Sequence, residues 1–154
     1  MQLMIDGLRE DGQPPEAAWP YLTTVPVTLS DWVPPSDCTP IFRHAMLPKL
    51  AECCQIREAL DAGHAGLFTA RISEQFHRPP ADYIIRDKPD DKDTGNHALI
   101  AVGHGEDSGC TLFLVRNSWG PGWCDRGYAW VEESYLSRRL LGLAVPFLIK
   151  REAT

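Results

Sequence analysis

Two side chains in this sequence have types and spacing that suit joint chemistry. His97 sits in NHALIAVGHG, residues 96–105, and Asn117 in RNSWGPGW, residues 116–123. The first run is apolar and strand-like, yet it begins with a group that titrates near neutral pH. HALIAVG and TLFLVRNSW flank GEDSG, a turn-forming stretch, so the two runs read as an antiparallel hairpin. With the turn centred on Asp107, His97 faces Asn117, Leu99 faces Val115 and Ala101 faces Phe113. Directly opposed residues share a face, with Cβ atoms about 4.5–5.5 Å apart. The spacing therefore predicts that the imidazole and the amide touch, provided the turn is placed correctly, because a one-residue slip turns the amide to the other face.

An asparagine beside a histidine has a specific use. Its side-chain oxygen accepts from one ring N–H and fixes the tautomer and orientation of the ring. The other ring nitrogen is then free for the proton of a nucleophile. With a thiol as third member this is a Cys-His-Asn arrangement, and a neutral orienter suits a pair that works as thiolate and imidazolium. Trp119, two residues on, can lay its indole over the contact and keep water away. A plainer reading exists for each residue alone: a partly buried, hydrogen-bonded histidine at a strand start, and an asparagine that shapes a turn. The two together, in facing register, favour the chemical reading.

The elements that must position this pair follow from pattern. Residues 2–10 place Leu3, Met4 and Leu8 on one helical stripe that Gly12 ends. Trp19 and Tyr21 read as buried anchors. Residues 23–40 read as an irregular, proline-punctuated segment with one short extended stretch at Val25 to Leu29. Residues 43–62 read as helix, with Leu47, Leu50, Cys54, Ile56 and Leu60 on its apolar face. Pro48 splits it, the better helix follows Pro48, and Gly63 sits where a C-terminal cap belongs. AGLFTARIS, 65–73, reads as strand with Leu67 and Phe68 as core candidates. DKPDDKDTG reads as a charged, solvated loop lacking the glycine and final glutamate of a calcium loop. From residue 96 the pattern is β, through GYAWVEES and LLGLAVPFLI. The order of elements indicates an α+β fold.

The chain has 154 residues and a net charge of −6. That length buries a core of roughly 68–70% of the unfolded surface, and the acidic balance argues against a nucleic-acid partner. No apolar run approaches the roughly 20 residues of a membrane-spanning helix, and MQLMIDGLRED does not read as a signal peptide. Five cysteines, an odd number with no export signal, point to reduced thiols and a cytoplasmic setting. A zinc site from Cys53, Cys54 and the histidines does not match a known ligand spacing. No cofactor or metal is expected.

NHALIAVGHG followed by LVRNSWGPGWCDRGYAWV resembles the His and Asn segments of papain-like cysteine peptidases. MIDGLREDGQPPEAAWPYL resembles that family's segment of Gly, Glu and Tyr-Pro-Tyr, and Glu58 to Phe76 resembles its helix-then-strand. The likeness covers roughly residues 2–136. It implies the papain-like α+β fold as a single partial domain. Residues 1–22 would be a helix and anchor from the interlobe region, and 23–154 the β-rich, barrel-like half. It also implies a general base at His97, an orienting amide at Asn117, a shielding indole at Trp119 and substrate-binding positions at Asn96 and Ala98.

The departures from the family are equally specific. Its nucleophile segment lies about 130–150 residues before the His and Asn, whereas His97 has 96 residues before it. Cys38 and Cys53 follow the Trp-Pro-Tyr stretch, while the family's nucleophile precedes it, and the oxyanion-hole glutamine is absent as well. Cys53 and Cys54 read as small buried hydrophobes. Cys124 stands at a family glycine and costs stability if the backbone there needs φ > 0. His104 stands for a tyrosine. The expected function is peptide-bond hydrolysis by Cys-His-Asn, represented here by its His/Asn portion and inactive alone, the cysteine coming from a missing N-terminal segment or a separate chain. The alternative is a non-catalytic papain-like module that binds a peptide or protein, or that self-associates through Met1, Leu3, Met4 and Leu8. A truncated product that still folds is a third reading.

Overall fold

The computed structural model describes residues 2–20, 22–25, 27–28, 33, 35–39, 44–49 and 52–148, without the side chains of 2–5, 44–49 and 146–148. The chain divides into two compact units, residues 1–46 with 147–154 and residues 47–146. Each is described by itself.

In the smaller unit α1 spans Gln2–Glu10. Gly12 takes φ 83° and donates its N–H to the Gly7 carbonyl at 2.9 Å, which ends the helix as expected. Leu8 and Trp19 are half-buried, and Val25 is exposed. No strand forms among the described residues of 22–39. The anchor expected at Tyr21 and the Met1, Leu3 and Met4 side chains of the expected patch lie outside the described residues.

The helix expected over 43–62 is two elements. His44–Lys49 is a strand, β1, and only Cys53–Asp61 is helix, α2. Pro48 accounts for this, since it lacks a donor and pushes the preceding residue toward extended backbone. Cys53, Ile56 and Ala59 are the buried residues of α2, one step from the expected Cys54. Gly63 is a true cap: at φ 80° it donates to the Leu60 carbonyl at 2.9 Å, and His64 donates to the Ala59 carbonyl at 2.8 Å.

Next come β2 (Gly66–Ser73), α3 (Glu74–His77), β3 (Ile84–Ile85), β4 (Asp93–Asp107), β5 (Cys110–Arg116), β6 (Tyr128–Glu132), α4 (Glu133–Arg139) and β7 (Leu140–Leu148). The sheet order is β1-β7-β2-β4-β5-β6-β3. β4 pairs antiparallel with β2 on one side and with β5 on the other. Alternation along β2 sends Phe68, Ala70 and Ile72 to the core, while Leu67 stays half-buried on the other face. Phe76, Phe113, Val115, Val131, Ile56, Tyr135 and Leu136 complete the core. The β-rich α+β architecture matches expectation.

The hairpin register does not. The turn is the two-residue loop Ser108-Gly109, with φ 51° and 80°, not a turn centred on Asp107. Positive φ at both central residues suits the right-handed twist of the flanking strands. The observed pairs are Asp107 with Cys110, His104 with Phe113 and Gly103 with Leu114, then Ala101 with Val115 and Ile100 with Arg116. Between them Val102 is an extra residue in β4, a β-bulge. The ladder stops at Ile100–Arg116, so His97 and Asn117 are not a ladder pair. The bulge has a further effect. It offsets the turn's displacement by one residue and keeps Leu99 and Ala101 on the core face with Val115, as their burial shows.

Candidate active site

His97 lies on β4 opposite Ala70 of β2, and so on the same face as Leu99 and Ala101. Asn117 is the first residue after β5. Its N–H donates to the Gly127 carbonyl at 2.9 Å, closing a loop over 117–127. Within that loop Gly127 donates to the Trp123 carbonyl at 2.8 Å. Glycine is favoured at 127: φ is 92°, and a Cβ there would come within 3.3 Å of the Gly120 oxygen. The tight loop carries Asn117 back toward β4, which is how the two side chains meet without facing each other in the ladder.

His97 Nε2 lies 2.8 Å from Asn117 Oδ1. The backbone N–H of Ser118 donates to the same Oδ1 at 2.8 Å, which fixes the amide orientation, since an N–H needs an acceptor. The imidazole therefore donates from Nε2–H. In the neutral ring Nδ1 then carries the free lone pair, and no hydrogen bond to it is found among the described residues. Asn117 is 7% exposed, and its Nδ2 has no partner among the described residues.

An aromatic cluster frames the pair. The Trp119 ring lies 4.8 Å from that of His97, tilted by 38°. Phe76 meets Trp119 edge-on at 5.7 Å and packs on Trp123 at 4.9 Å, and the Trp123 indole N–H donates to the Phe76 carbonyl at 3.0 Å. His77 stacks on Trp119 at 5.2 Å and 15°. The residue pattern gave no sign of Phe76, His77 or Trp123 at the site. The only available signal was topological: pairing of β2 with β4 brings α3, which follows β2 directly, beside His97. Of the expected site residues, the structure brings His97, Asn117 and Trp119 together. Asn96 and Ala98 are exposed and alternate to the opposite face of β4 from His97.

None of the four cysteines of the larger unit hydrogen-bonds His97. Burial pushes the thiols of Cys53, Cys54 and Cys124 above their ordinary value, and a hydrogen bond to Glu132 does the same for Cys110. Cys53 is buried, and its sulfur accepts from the Ser137 hydroxyl at 3.4 Å. These are thiols rather than thiolates. No group of three or more His, Cys, Asp or Glu able to hold a metal occurs among the described residues.

The expected solvated loop is also tied down. Arg139, 4% exposed, donates to Asp87 at 2.9 Å, to Asp93 at 3.0 Å and to the Asp91 carbonyl at 2.8 Å, and its guanidinium lies 4.2 Å over the Tyr135 ring. Charges read from sequence as facing water hold β4 where it begins, at Asp93 rather than at residue 96.

Residues 75–139 match the model of the papain family of cysteine proteases. Over residues 75–139 the chain is papain-like in sequence, and its fold is papain-like. It is 44% identical over 52 residues to pro-cathepsin H of Bos taurus, a stretch covering 34% of this chain and 15% of that protein. It is 41% identical over 49 residues to the thiol protease aleurain of Arabidopsis thaliana, covering 32% and 13%. Its fold is similar to that of xylellain, a cysteine protease from Xylella fastidiosa, with TM-score 0.66, 21% identity, and coverage of 95% of this chain and 60% of that one. It is likewise similar to procathepsin B S9 from Trypanosoma congolense, with TM-score 0.64, 17% identity, and coverage of 95% and 52%. The papain-like chain thus spans only part of the length of each of these relatives.

Proposed function

We propose that this chain supplies the general base and its orienting amide to a papain-like cysteine peptidase site, the nucleophilic thiol coming from a segment other than these 154 residues. The observation that carries the reading is the His97–Asn117 hydrogen bond at 2.8 Å, with Nδ1 left free. A thiol presented to Nδ1 would give up its proton there, and the thiolate would attack the peptide carbonyl. The imidazolium, held in place by Asn117 Oδ1, would then return the proton to the leaving amine. Trp119 limits the access of water to the His97–Asn117 bond, so that the bond is not exchanged for bonds to solvent.

Two observations favour a nucleophile from elsewhere. The cysteines of the larger unit have thiols pushed up, and none of them bonds His97. The test is a peptidase assay of the purified chain against fluorogenic peptides, wild type and His97→Ala. The expected result is no turnover by either protein. Addition of a chain bearing the Cys-containing half of a papain-like peptidase is expected to restore turnover to the wild type only. Turnover by the chain alone that disappears in His97→Ala would refute an external thiol. Binding of the Cys-bearing half without turnover would favour the non-catalytic binding module.

A further inference from the structure

The structure holds a second imidazole whose tautomer is fixed. His77 Nε2 lies 3.0 Å from Thr94 Oγ1, and Thr94 Oγ1 lies 3.0 Å from the Ile72 carbonyl. A carbonyl can only accept, so the single hydroxyl proton of Thr94 goes to Ile72 and Oγ1 must accept from His77. His77 therefore donates from Nε2–H. Its ring is stacked on Trp119 at 5.2 Å and 15°, and the same indole lies 4.8 Å from His97. Trp119 is 41% exposed; Phe76 and Trp123 meet it edge-on, and His77 is stacked on it.

We propose that His77 is a positioning residue: stacked on Trp119, it holds the indole over the His97–Asn117 hydrogen bond. The stack is an aromatic contact, and the bond from Nε2–H to Thr94 sets the orientation of the ring that makes it. The functional consequence rests on the peptidase reading above, but the device can be measured in this chain without any nucleophile.

One measurement tests it. Exchange of the His97 Nε2–H with water is followed by NMR at pH 8. It should be faster in His77→Ala by roughly two- to ten-fold, the worth of an aromatic contact, and return to the wild-type rate in His77→Phe. Exchange unchanged in His77→Ala, or not restored in His77→Phe, overturns the proposal. Failure to reconstitute peptidase activity would leave this readout intact, so the two ideas fail separately.

Discussion

Asn117 accepts two hydrogen bonds on one buried oxygen, from His97 and from Ser118. Asn117→Ala strands both donors, and each unsatisfied buried group costs about 1–3 kcal/mol. The substitution also removes the unpartnered Nδ2, which offsets part of that cost. A net loss of about 1–2 kcal/mol is expected in urea unfolding. In 15N NMR the His97 ring should change from a single Nε2–H tautomer to a mixture. Backbone strain gives a second test at this scale. Cys124 and Arg126 are both left-handed, at φ 49° and 52°. The Arg126 side chain is 87% exposed and reaches only Asp125, so Arg126→Gly should stabilise by about 0.5–1 kcal/mol. Cys124 packs against the core, so Cys124→Gly relieves strain but loses contact and should gain less. The order of the two thermal shifts is the check. The meeting of His97, Asn117 and Trp119 was legible because all three lie in the two segments, NHALIAVGHG and RNSWGPGW, that resemble the papain-like family. His77 was not, because nothing in its type or local sequence says that it stacks on Trp119.

At the scale of elements, the expectation about His97 reached the right contact by the wrong route. A turn centred on Asp107 would have made His97 and Asn117 a ladder pair. The real turn lies at Ser108-Gly109, and the bulge at Val102 restores the facing of β4 but not the expected pairs, since Ala101 meets Val115 and not Phe113. Two-residue loops ending in glycine are the usual hairpin signal, so the turn could have been read from SG. A bulge leaves no comparable mark in a run as uniformly apolar as LIAVG. The same limit produced the overlong helix at 43–62, where apolar spacing suits a strand and a helix alike and Pro48 was the deciding residue. Deleting Val102 should therefore be tolerated. With the extra residue gone, Gly103 stays opposite Leu114 and Ala101 opposite Val115 as consecutive pairs, so His97, Leu99 and Ala101 keep the core face. The expected result is a cooperative transition in circular dichroism melts, and its loss would mean that the bulge itself is needed. Val102→Ala, which keeps the bulge, should unfold close to wild type.

At the scale of the larger unit, the acidic loop and the last helix are joined through one buried cation. Arg139 ties α4 to Asp87, Asp91 and Asp93, Arg138 reaches Asp87 at 2.7 Å, and Arg71 on β2 meets Asp93 at 3.3 Å. Composition shows that acids and bases are present but not which ones meet, because their partners lie about 50 residues apart and come together only in the fold. Replacing Arg139 with Met removes one partner and leaves the carboxylates facing a partly buried gap, at a cost of about 3–5 kcal/mol. The same network sets the acid limit. Burial works to raise the Asp87 carboxyl, but hydrogen bonds from Arg138 and Arg139 outweigh it and hold the group below its ordinary value. A carboxyl with a depressed folded-state value contributes stability that is fully present above its unfolded value of about 3.9, and loses it as pH falls through the lower folded value. Asp87 therefore contributes nothing to any change between pH 7 and about pH 5, and its share is lost below about pH 4. Melting temperatures of wild type and Asp87→Asn should run parallel at neutral pH, with the variant lower, and converge as the pH drops below about 4. A constant gap down to pH 2 would mean that Asp87 acts through packing and not through its charge.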